Sequence, residues 1–298
     1  MIKIEMLRCF SAVAQSGNLA DAAARLGRTQ SAVSMTLKQL EEDLGQKLFE
    51  GERKSKLTPL GEQIFTLAQQ QVQAFDNGVR EIRASAQSPK GLLRVVSIPS
   101  ATGNFVPHAA KEMTARHPGL KIDVRDADTE VVIDTLVRGQ ADVGIASGEP
   151  SLNGVQSDLL FQDDFGLTCA SDHPLAKHEG SLAFADAEAF AFVGNNLCHQ
   201  IKHARLQNAL ANTRLHAHNT LSLIGILQTG NWFTILPGAV VQQLPCTLVF
   251  RPLSDLNAKR TVSVLVSERS SQRSFAEEFI SVLQMLCPTN SSRHATSN

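Results

Sequence analysis

Short polar and basic side chains recur between residues 28 and 38 at a spacing that places several of them on one side of a helix. Hydroxyl, amide and ammonium groups of this size can reach base edges and phosphates in a DNA major groove without a deep pocket. The predicted DNA contacts in this stretch are Arg28, Thr29, Gln30, Ser31, Ser34 and Lys38. The pattern therefore favours a nucleic-acid-binding surface.

Two predicted helices position these side chains. Asn18 is suited to cap the first helix, Gly27 to end it, and Thr29 to cap the second. The buried stripe of the first is Leu19, Ala22, Ala23 and Leu26, and that of the second is Val33, Leu37, Leu40 and Leu44. This order predicts a helix-turn-helix. An ordinary pair of amphipathic helices in a bundle has the same spacing, so spacing alone leaves both interpretations open.

A basic, glycine-containing segment follows the second helix. Residues 47–49 return the chain and residues 57–58 lead it out again, which predicts a hairpin, or wing, between them. Such a wing can place Arg53, Lys54 and Lys56 along phosphates beside the major groove. The alternative is a solvated charged loop, which is what runs of charge usually form.

Thr58 and Pro59 are suited to begin a long helix that runs to about Ala86. Its apolar residues follow one another at spacings of three and four: Ile64, Ala68, Val72, Phe75, Val79, Ile82 and Ala86. This heptad-like stripe predicts dimerisation through a partner helix. A long helix packed on its own domain is the alternative. Residues 88–91 then break the helix and predict a hinge.

The rest of the chain alternates between apolar runs and helical patterns, which predicts a doubly wound α/β domain. Strands are predicted at 92–98, 120–124, 143–146, 166–170, 190–193, 215–217, 233–236 and 261–266, and helices at 105–116, 130–138, 200–211, 221–229 and 275–286. The first three strands and their helices form a βαβαβ half. Residues 289–298 are polar and predicted to be disordered.

From Met6 to Gly61 the chain resembles the N-terminal region of the LysR-type transcriptional regulators, through LRCFSAVAQSGNLADAAARLGRTQSAVSMTLKQLEEDLGQKLFEGERKSKLTPLG. One departure lies in the wing, where Gly51 stands two residues after the Leu-Phe pair in place of the usual arginine and the loop is one residue short. The segments 138–145 and 173–176 resemble recurring parts of the family's effector-binding region. The resemblance favours DNA binding over the bundle interpretation.

The resemblance implies an α/β chain with an N-terminal winged helix-turn-helix, a linker helix, and a two-lobed effector domain like the periplasmic binding proteins. The expected domains are 1–58, 59–90 and 91–288, with lobe I formed by 91–163 and 267–288 and lobe II by 164–266, followed by the tail 289–298. The chain is expected to cross between lobes near 162–166 and near 266–270. The implied partners are double-stranded DNA, further copies in a homodimer or homotetramer, a small effector, and RNA polymerase.

Two loops are candidates for the effector site, since each combines small polar residues with a predicted helix start. Residues 100–103 contain Ser100, Ala101 and Thr102, and residues 194–196 contain Asn195 and Asn196. Hydroxyls and unpaired N–H groups at a helix start favour a carboxylate, so we expect a small anionic effector. The resemblance adds Thr129, Ser147, Asn219 and Thr220. For each residue, the alternative is a helix cap that satisfies its own backbone.

Cys198 offers a different kind of site. With His199, His203, His216 and His218 it forms a group of soft-metal ligand types, although the spacing matches no established metal pattern. Cys198 also lies near the reactive thiol of the peroxide-sensing branch of the family, but the partner expected about ten residues on is absent. A thiol- or metal-responsive regulator is therefore the alternative function.

Composition excludes several classes. The net charge is −1, so any electrostatic attraction to DNA must be local. Five cysteines without a C-x-x-C pair argue against a disulfide framework and a zinc knuckle. No G-x-S-x-G, P-loop or G-x-G-x-x-G motif is present, so we expect no enzyme and no cofactor. With no readable signal peptide and no stretch long enough to span a bilayer, we expect a cytoplasmic protein without a membrane partner.

Overall fold

The computed structural model describes residues 1–51, 54–87, 91–241, 246–268 and 270–287. The chain divides into two units, Met1–Gln87 and Ser88–Asn298. Among the described helices, none is both long enough and apolar enough to cross a membrane.

The first unit contains the predicted helix-turn-helix, which the structure confirms. It is formed by α2 (Leu19–Leu26) and α3 (Gln30–Leu44), and α1 (Ile4–Ser16) precedes it. Asn18 caps α2 by accepting a hydrogen bond from the backbone N–H of Asp21 at 2.8 Å. Gly27 ends α2 with a φ of 63°, a left-handed conformation that glycine adopts without steric cost. Thr29 Oγ1 accepts from the N–H of Ala32 at 3.3 Å and so caps α3.

The described ends of the predicted wing pair with each other. Phe49 and Leu57 form an antiparallel bridge, and the N–H of Glu50 donates to the carbonyl of Lys56 at 2.8 Å. Residues 52–53, including the predicted DNA contact Arg53, lie outside the described residues. The chain therefore turns back directly after α3, as the wing prediction requires.

The long helix α4 (Pro59–Gln87) completes the first unit. Its predicted dimerisation stripe is wrong at its first two residues, because Ala68 is buried in the core of its own unit and Ile64 packs against that core. A two-bond ion pair between Arg8 and Asp76, at 2.9 and 2.6 Å, further joins α1 to α4. Farther along, Phe75 and Ile82 are exposed. The predicted hinge residues 88–90 lie outside the described residues, and so does the side chain of Ala86.

The second unit is built from alternating strands and helices. In order these are β1 (Leu92–Ser97), α5 (Pro99–Asn104), α6 (Val106–Arg116), β2 (Lys121–Asp126), α7 (Thr129–Val137), β3 (Val143–Ser147), β4 (Val155–Ala170), α8 (Phe184–Ala187), β5 (Ala191–Phe192), α9 (Ala204–Asn212), α10 (Thr220–Leu227), β6 (Trp232–Pro237), α11 (Gly238–Val241), β7 (Leu248–Pro252), β8 (Lys259–Ser267) and α12 (Arg273–Leu286). Short 3-10 turns lie at Pro174–Ala176 and Asn196–Gln200.

Two sheets share the long strand β4. The first half of β4 pairs antiparallel with β8, in a sheet ordered β2-β1-β3-β8-β4. The second half pairs with β6 and β7, and β5 extends that second sheet beside β6. The parallel pairing of β1 with both β2 and β3 confirms the βαβαβ half. Each sheet has its own apolar core, one around Phe279 and Val264 and the other around Leu167 and Phe233.

Several predicted boundaries in this unit are wrong. The return crossing expected near 266–270 lies before Lys259, because β8 pairs with β3 in the first sheet. An apolar run looks the same whichever sheet it joins, so periodicity cannot assign its partner. The predicted strand 215–217 contributes only a single bridge, between His216 and Gly194. The strand β7 and the first half of β4 were not predicted. The tail 289–298 lies outside the described residues.

Candidate functional site

The exposed face of α3 carries the predicted DNA contacts. Gln30, Ser31, Ser34 and Lys38 are all exposed, while Val33, Leu37 and Leu40 on the opposite side are buried in the core of the unit. The structure gives Gln30 and Ser34 no side-chain hydrogen bond to another described residue. Lys38 Nζ lies 3.7 Å from Glu42 in a solvent-exposed pair, which leaves the ammonium free to exchange partners. The face can therefore offer hydrogen-bond donors and acceptors to an external surface.

Arg28 and Thr29, which directly precede α3, also make contacts within the first unit. The hydroxyl of Thr29 serves as the helix cap and lies 3.1 Å from the hydroxyl of Ser31. Arg28 Nη2 donates to Glu5 Oε2 at 3.2 Å, in a pair that is open to solvent. A phosphate can compete for an exposed arginine of this kind, because such pairs contribute little free energy. Arg28 thus stays a predicted phosphate contact, and Thr29 is first of all a cap.

In the wing, the structure separates the two described lysines. Lys56 is exposed and pairs with Glu50 at 2.7 Å, so it stays a predicted phosphate contact. The structure argues against the prediction for Lys54, because its side chain is only 17% exposed and its Nζ lies 3.8 Å from the buried carboxylate of Glu41. The Lys54 ammonium also lies 5.6 Å from the centroid of the Phe49 ring. Lys54 therefore points into the unit.

Glu41 is a buried carboxylate that sequence reasoning missed. Its side chain is 3% exposed and accepts from Lys47 Nζ at 2.9 Å and from the N–H of Leu48 at 3.0 Å. Burial by itself raises the pKa of Glu41, but these hydrogen bonds and the charge of Lys54 outweigh it, so the pKa lies below its ordinary value. Glu41 thus connects the end of α3 to both described ends of the wing.

A large cavity lies in the second unit, among its described residues. It has a volume of about 1150 Å³ and is lined by the ends of elements from both sheets. Eight of the nine predicted effector contacts line it: Ser100, Thr102, Thr129, Ser147, Asn195, Asn196, Asn219 and Thr220. The ninth, Ala101, is fully buried in the core of the first sheet and does not line the cavity. Residues that are distant in sequence are thus brought together around one cavity.

On the first-sheet side, the hydroxyl of Ser147 is a buried polar group of the cavity. The predicted loop 100–103 is in fact part of α5, and the hydroxyl of Thr102 donates within that helix to the carbonyl of Ile98 at 3.2 Å. Thr129 Oγ1 accepts from the N–H of Ser147 at 3.0 Å. The side chain of Ser147 is buried, and its Oγ has no hydrogen-bond partner among the described residues. An unpaired buried hydroxyl costs free energy unless a water or a ligand satisfies it.

On the second-sheet side, two asparagines act as structural caps. Buried Asn195 accepts from the N–H of Leu197 at 3.0 Å and donates to Thr234 Oγ1 and the carbonyl of Ile235 at 2.9 and 3.0 Å. Asn219 Oδ1 accepts from the N–H of Ser222 at 2.8 Å and caps α10. The amide of Asn195 is thereby used within the protein. The cap interpretation describes both residues best.

Arg260 is a buried basic residue of the cavity that sequence reasoning missed. It is the one lysine or arginine among the described lining residues, and its side chain is 2% exposed. Its guanidinium donates twice to Asp163, at 2.9 and 2.8 Å, and once to the hydroxyl of Ser100 at 3.1 Å. In the sequence Arg260 stands beside Lys259 at the start of β8, so residue type alone gave no signal that one of the two is buried. Because Asp163 already balances its charge, Arg260 offers little net attraction to an anion.

Cys198 does not have the environment of a reactive thiol. It is fully buried, and burial raises its pKa to about 11, so the thiolate is scarce at neutral pH. Its Sγ lies 3.7 Å from the carbonyl of Ile235. Of the histidines considered with it, His203 caps α9 by accepting from the N–H of Leu206. Within the described residues, no group of three or more metal-ligating side chains is assembled.

The two units together define a class of protein. A winged helix-turn-helix with an exposed polar face on its second helix is a DNA-binding module. The second unit adds a two-sheet α/β domain with a ligand-sized cavity lined by polar side chains. This combination defines a transcriptional regulator that carries an α/β binding domain.

Comparison with known proteins identifies the family. Residues 4–62 match the model of the bacterial regulatory helix-turn-helix protein of the lysR family, and residues 86–288 match the LysR substrate binding domain. The chain belongs to the LysR family of transcriptional regulators. The members of that family that resemble it are regulators and not enzymes.

Relatives and solved structures agree with this assignment. The uncharacterized HTH-type transcriptional regulator YbhD of Escherichia coli (strain K12) is 25% identical over 289 residues, which cover 94% of this chain and 90% of that protein. A probable hydrogen peroxide-inducible genes activator of Streptomyces viridosporus is 32% identical over 178 residues, covering 59% of this chain and 57% of the relative. The crystal structure of CbnR, a LysR family transcriptional regulator, has a TM-score of 0.63 at 20% identity and covers 97% of this chain and 100% of its own. At that identity the likeness shows a shared fold.

Proposed function

We propose that this LysR-family regulator reads a DNA site with the exposed face of α3 and that a small molecule in the cavity of the second unit sets its activity. The proposal rests on one observation: a few polar side chains have hydrogen-bonding groups without a partner among the described residues, whereas others already bond to backbone groups or side chains of the protein. Gln30 and Ser34 on α3 and Ser147 in the cavity have hydrogen-bonding groups that no described residue satisfies.

The proposed contacts to DNA fall into two kinds. Gln30, Ser31 and Ser34 are proposed to contact base edges, since amides and hydroxyls can discriminate among the patterns that base pairs present in the major groove. The exposed cations Arg28, Lys38 and Lys56 are proposed to contact phosphates, which position the protein without reading sequence. We propose no contact for Lys54, because Glu41 holds it within the unit.

The best-supported binding position for the effector is the start of α7. Asp128, the residue before this helix, makes no side-chain capping bond, so the first N–H groups of α7 have no side-chain partner from it. The hydroxyls of Thr129 and Ser147 lie beside that helix start. Donors of this kind favour an anionic oxygen, which supports a carboxylate-bearing effector. Three carboxylates, those of Asp126, Asp128 and Glu130, also line the cavity. Because they repel negative charge, an effector with one carboxylate is favoured over an effector with several.

Assembly is the third part of the proposal. The exposed apolar side chains Leu67, Phe75 and Ile82 lie on α4 and offer a surface for the same helix of a second copy. A dimer would present two α3 helices to two half-sites, the usual arrangement for helix-turn-helix proteins. We further propose a cytoplasmic location and contact with RNA polymerase, in line with the resemblance to the family.

The experiment uses the full chain. Duplexes are selected from a random pool by binding to the protein, and the selected site is then titrated with and without a panel of small monocarboxylates. We expect one enriched sequence motif with two related halves, and at least one carboxylate that shifts binding in the wild type and not in Ser147→Ala. Ser157→Ala, which changes an exposed serine outside the cavity, is the matched control. Selection without an enriched motif would refute DNA reading, and a normal response in Ser147→Ala would move the effector seat elsewhere.

A further inference from the structure

The centre of the exposed face of α3 is occupied by an apolar side chain, Met35. Its side chain is 72% exposed, and among the described residues 3–51 no other large apolar side chain is exposed to this degree. With 3.6 residues per turn, Met35 lies about one turn after Ser31 and one turn before Lys38. It therefore stands between two of the proposed DNA contacts and opposite the buried stripe of the helix.

Among the described residues of the first unit, the apolar core does not include Met35. The apolar residues of α3 that contribute to the core, Val33, Leu37 and Leu40, all lie on the opposite side. A single exposed methionine is by itself ordinary on a protein surface. Here, however, its neighbours on the same face are hydroxyls and an ammonium group that are proposed to reach into a major groove. The ligand surface opposite Met35 is then the edge of a base pair.

The major groove presents one apolar group on its base edges, the C5-methyl group of thymine. The methionine side chain is unbranched and polarizable, so it can adapt its shape to such a group. We infer that Met35 is a specificity-determining residue that packs against a thymine methyl group in each half-site. The inference rests on the proposed DNA reading by α3 and adds an apolar contact to its hydrogen-bonding ones.

The position along the helix also limits where that thymine lies. Met35 is four residues from Ser31, which corresponds to about 6 Å along the helix axis. Successive base pairs are about 3.4 Å apart. The thymine is therefore expected within about two base pairs of the base contacted by Ser31.

The test removes the methyl group from the DNA. Each thymine of the selected site is replaced in turn by deoxyuridine, which deletes the C5-methyl and keeps every hydrogen-bonding group. For the full-length wild type, we expect one thymine per half-site whose replacement weakens binding about fourfold, the effect of exposing one buried methyl-sized group. In Met35→Ala the same replacement should have no further effect, because the two changes remove one shared contact.

Two further variants control this double-mutant cycle. Met285→Ala changes another exposed methionine, on α12, and should keep the full deoxyuridine effect. Met35→Leu keeps an apolar side chain and should retain most of the effect. Melting temperatures near that of the wild type for all three variants would exclude unfolding as the cause.

The outcomes separate the inference from the function on which it rests. If the protein selects a DNA motif but no thymine is sensitive to deoxyuridine, or if Met35→Ala keeps the full sensitivity, the role of Met35 is refuted and DNA reading by α3 still holds. A selected motif without thymine near the Ser31 contact refutes it in the same way. If no motif is selected at all, the proposed DNA reading fails, and the inference fails with it.

Discussion

The exposed face of α3 and the cavity of the second unit are built from the same residue types but use them in opposite ways. On α3 the cap is Thr29, which leaves Gln30 and Ser34 free to point outward. In the cavity, Asn195 and Asn219 are themselves the caps, so their side chains already bond to backbone groups. A polar residue at a helix start is thus first a cap, and free contacts come from positions beside it.

Charge differs between the two regions in the same way. Lys38 is held by an exposed and weak pair, whereas Arg260 is buried with two hydrogen bonds to Asp163. Exposed pairs contribute about 0–1 kcal/mol, but breaking a buried pair leaves an uncompensated charge in the interior. The comparison therefore predicts that charge changes on α3 affect DNA binding, while those in the cavity affect folding.

The largest effect is expected from Arg260→Met, which would leave the carboxylate of Asp163 without its partner. We expect the second unit to lose about 3–5 kcal/mol of its free energy of unfolding. Urea unfolding followed by the fluorescence of Trp232, the single tryptophan of the chain, reports on this unit. In Lys259→Met, which breaks the adjacent exposed pair with Asp164, the loss should stay below about 1 kcal/mol. Similar losses of unfolding free energy in the two variants would contradict the predicted difference between buried and exposed ion pairs.

A smaller effect is expected from Glu41→Gln, which keeps the shape of the side chain and removes its charge. We expect a loss of about 1–3 kcal/mol in the stability of the first unit. Because the pKa of Glu41 in the folded state lies below its ordinary value, its contribution is present above that ordinary value and is lost as the pH falls through the folded-state pKa. Thermal unfolding by circular dichroism should therefore show a difference from wild type at neutral pH that shrinks in acid.

Glu42→Gln is the matched control for this variant, since Glu42 is the exposed neighbour that pairs with Lys38. It should change the stability by no more than about 0.5 kcal/mol at any pH. If Glu41→Gln behaves like Glu42→Gln, the buried carboxylate does not hold the wing to α3, and Lys54 would again be a candidate for phosphate contact.

The smallest effect is the difference in stability between two variants of the cavity, Asn219→Ala and Ser147→Ala. Asn219→Ala removes the cap of α10 and should cost about 1 kcal/mol of stability. Ser147→Ala removes a hydroxyl without a partner and should leave the stability within about 0.5 kcal/mol of wild type. Trp232 fluorescence during urea unfolding measures both changes. Equal losses of stability would mean that the Ser147 hydroxyl already has a hydrogen-bond partner in the ligand-free protein, which would contradict its proposed role in effector binding.

What the sequence predicted well depends on contacts between near neighbours. The caps at Asn18 and Thr29 and the left-handed end at Gly27 are fixed by side chains within a few residues, and all three form as predicted. The apolar stripes of α2 and α3 likewise follow from helical periodicity. These local signals were enough to define the helix-turn-helix.

What the sequence could not predict depends on distant partners. The inward direction of Lys54 is set by Glu41, and the burial of Arg260 by Asp163, which lies 97 residues away. The sheet to which β8 belongs is decided by its pairing with β3, more than a hundred residues earlier. Residue type and periodicity carry no information about such partners, so these features appear only in the folded chain.

The central claim is that the free side chains of α3 read DNA sequence, and Gln30→Ala tests it most directly. Binding of full-length wild type, Gln30→Ala and Lys56→Ala is measured on the selected site and on a random duplex at several salt concentrations. Gln30→Ala should lose about 1–3 kcal/mol of discrimination, mostly on the selected site, because an amide that contacts an adenine is lost. Lys56→Ala should weaken both duplexes alike and reduce the salt slope by about one. Equal losses on both duplexes for Gln30→Ala would contradict the account.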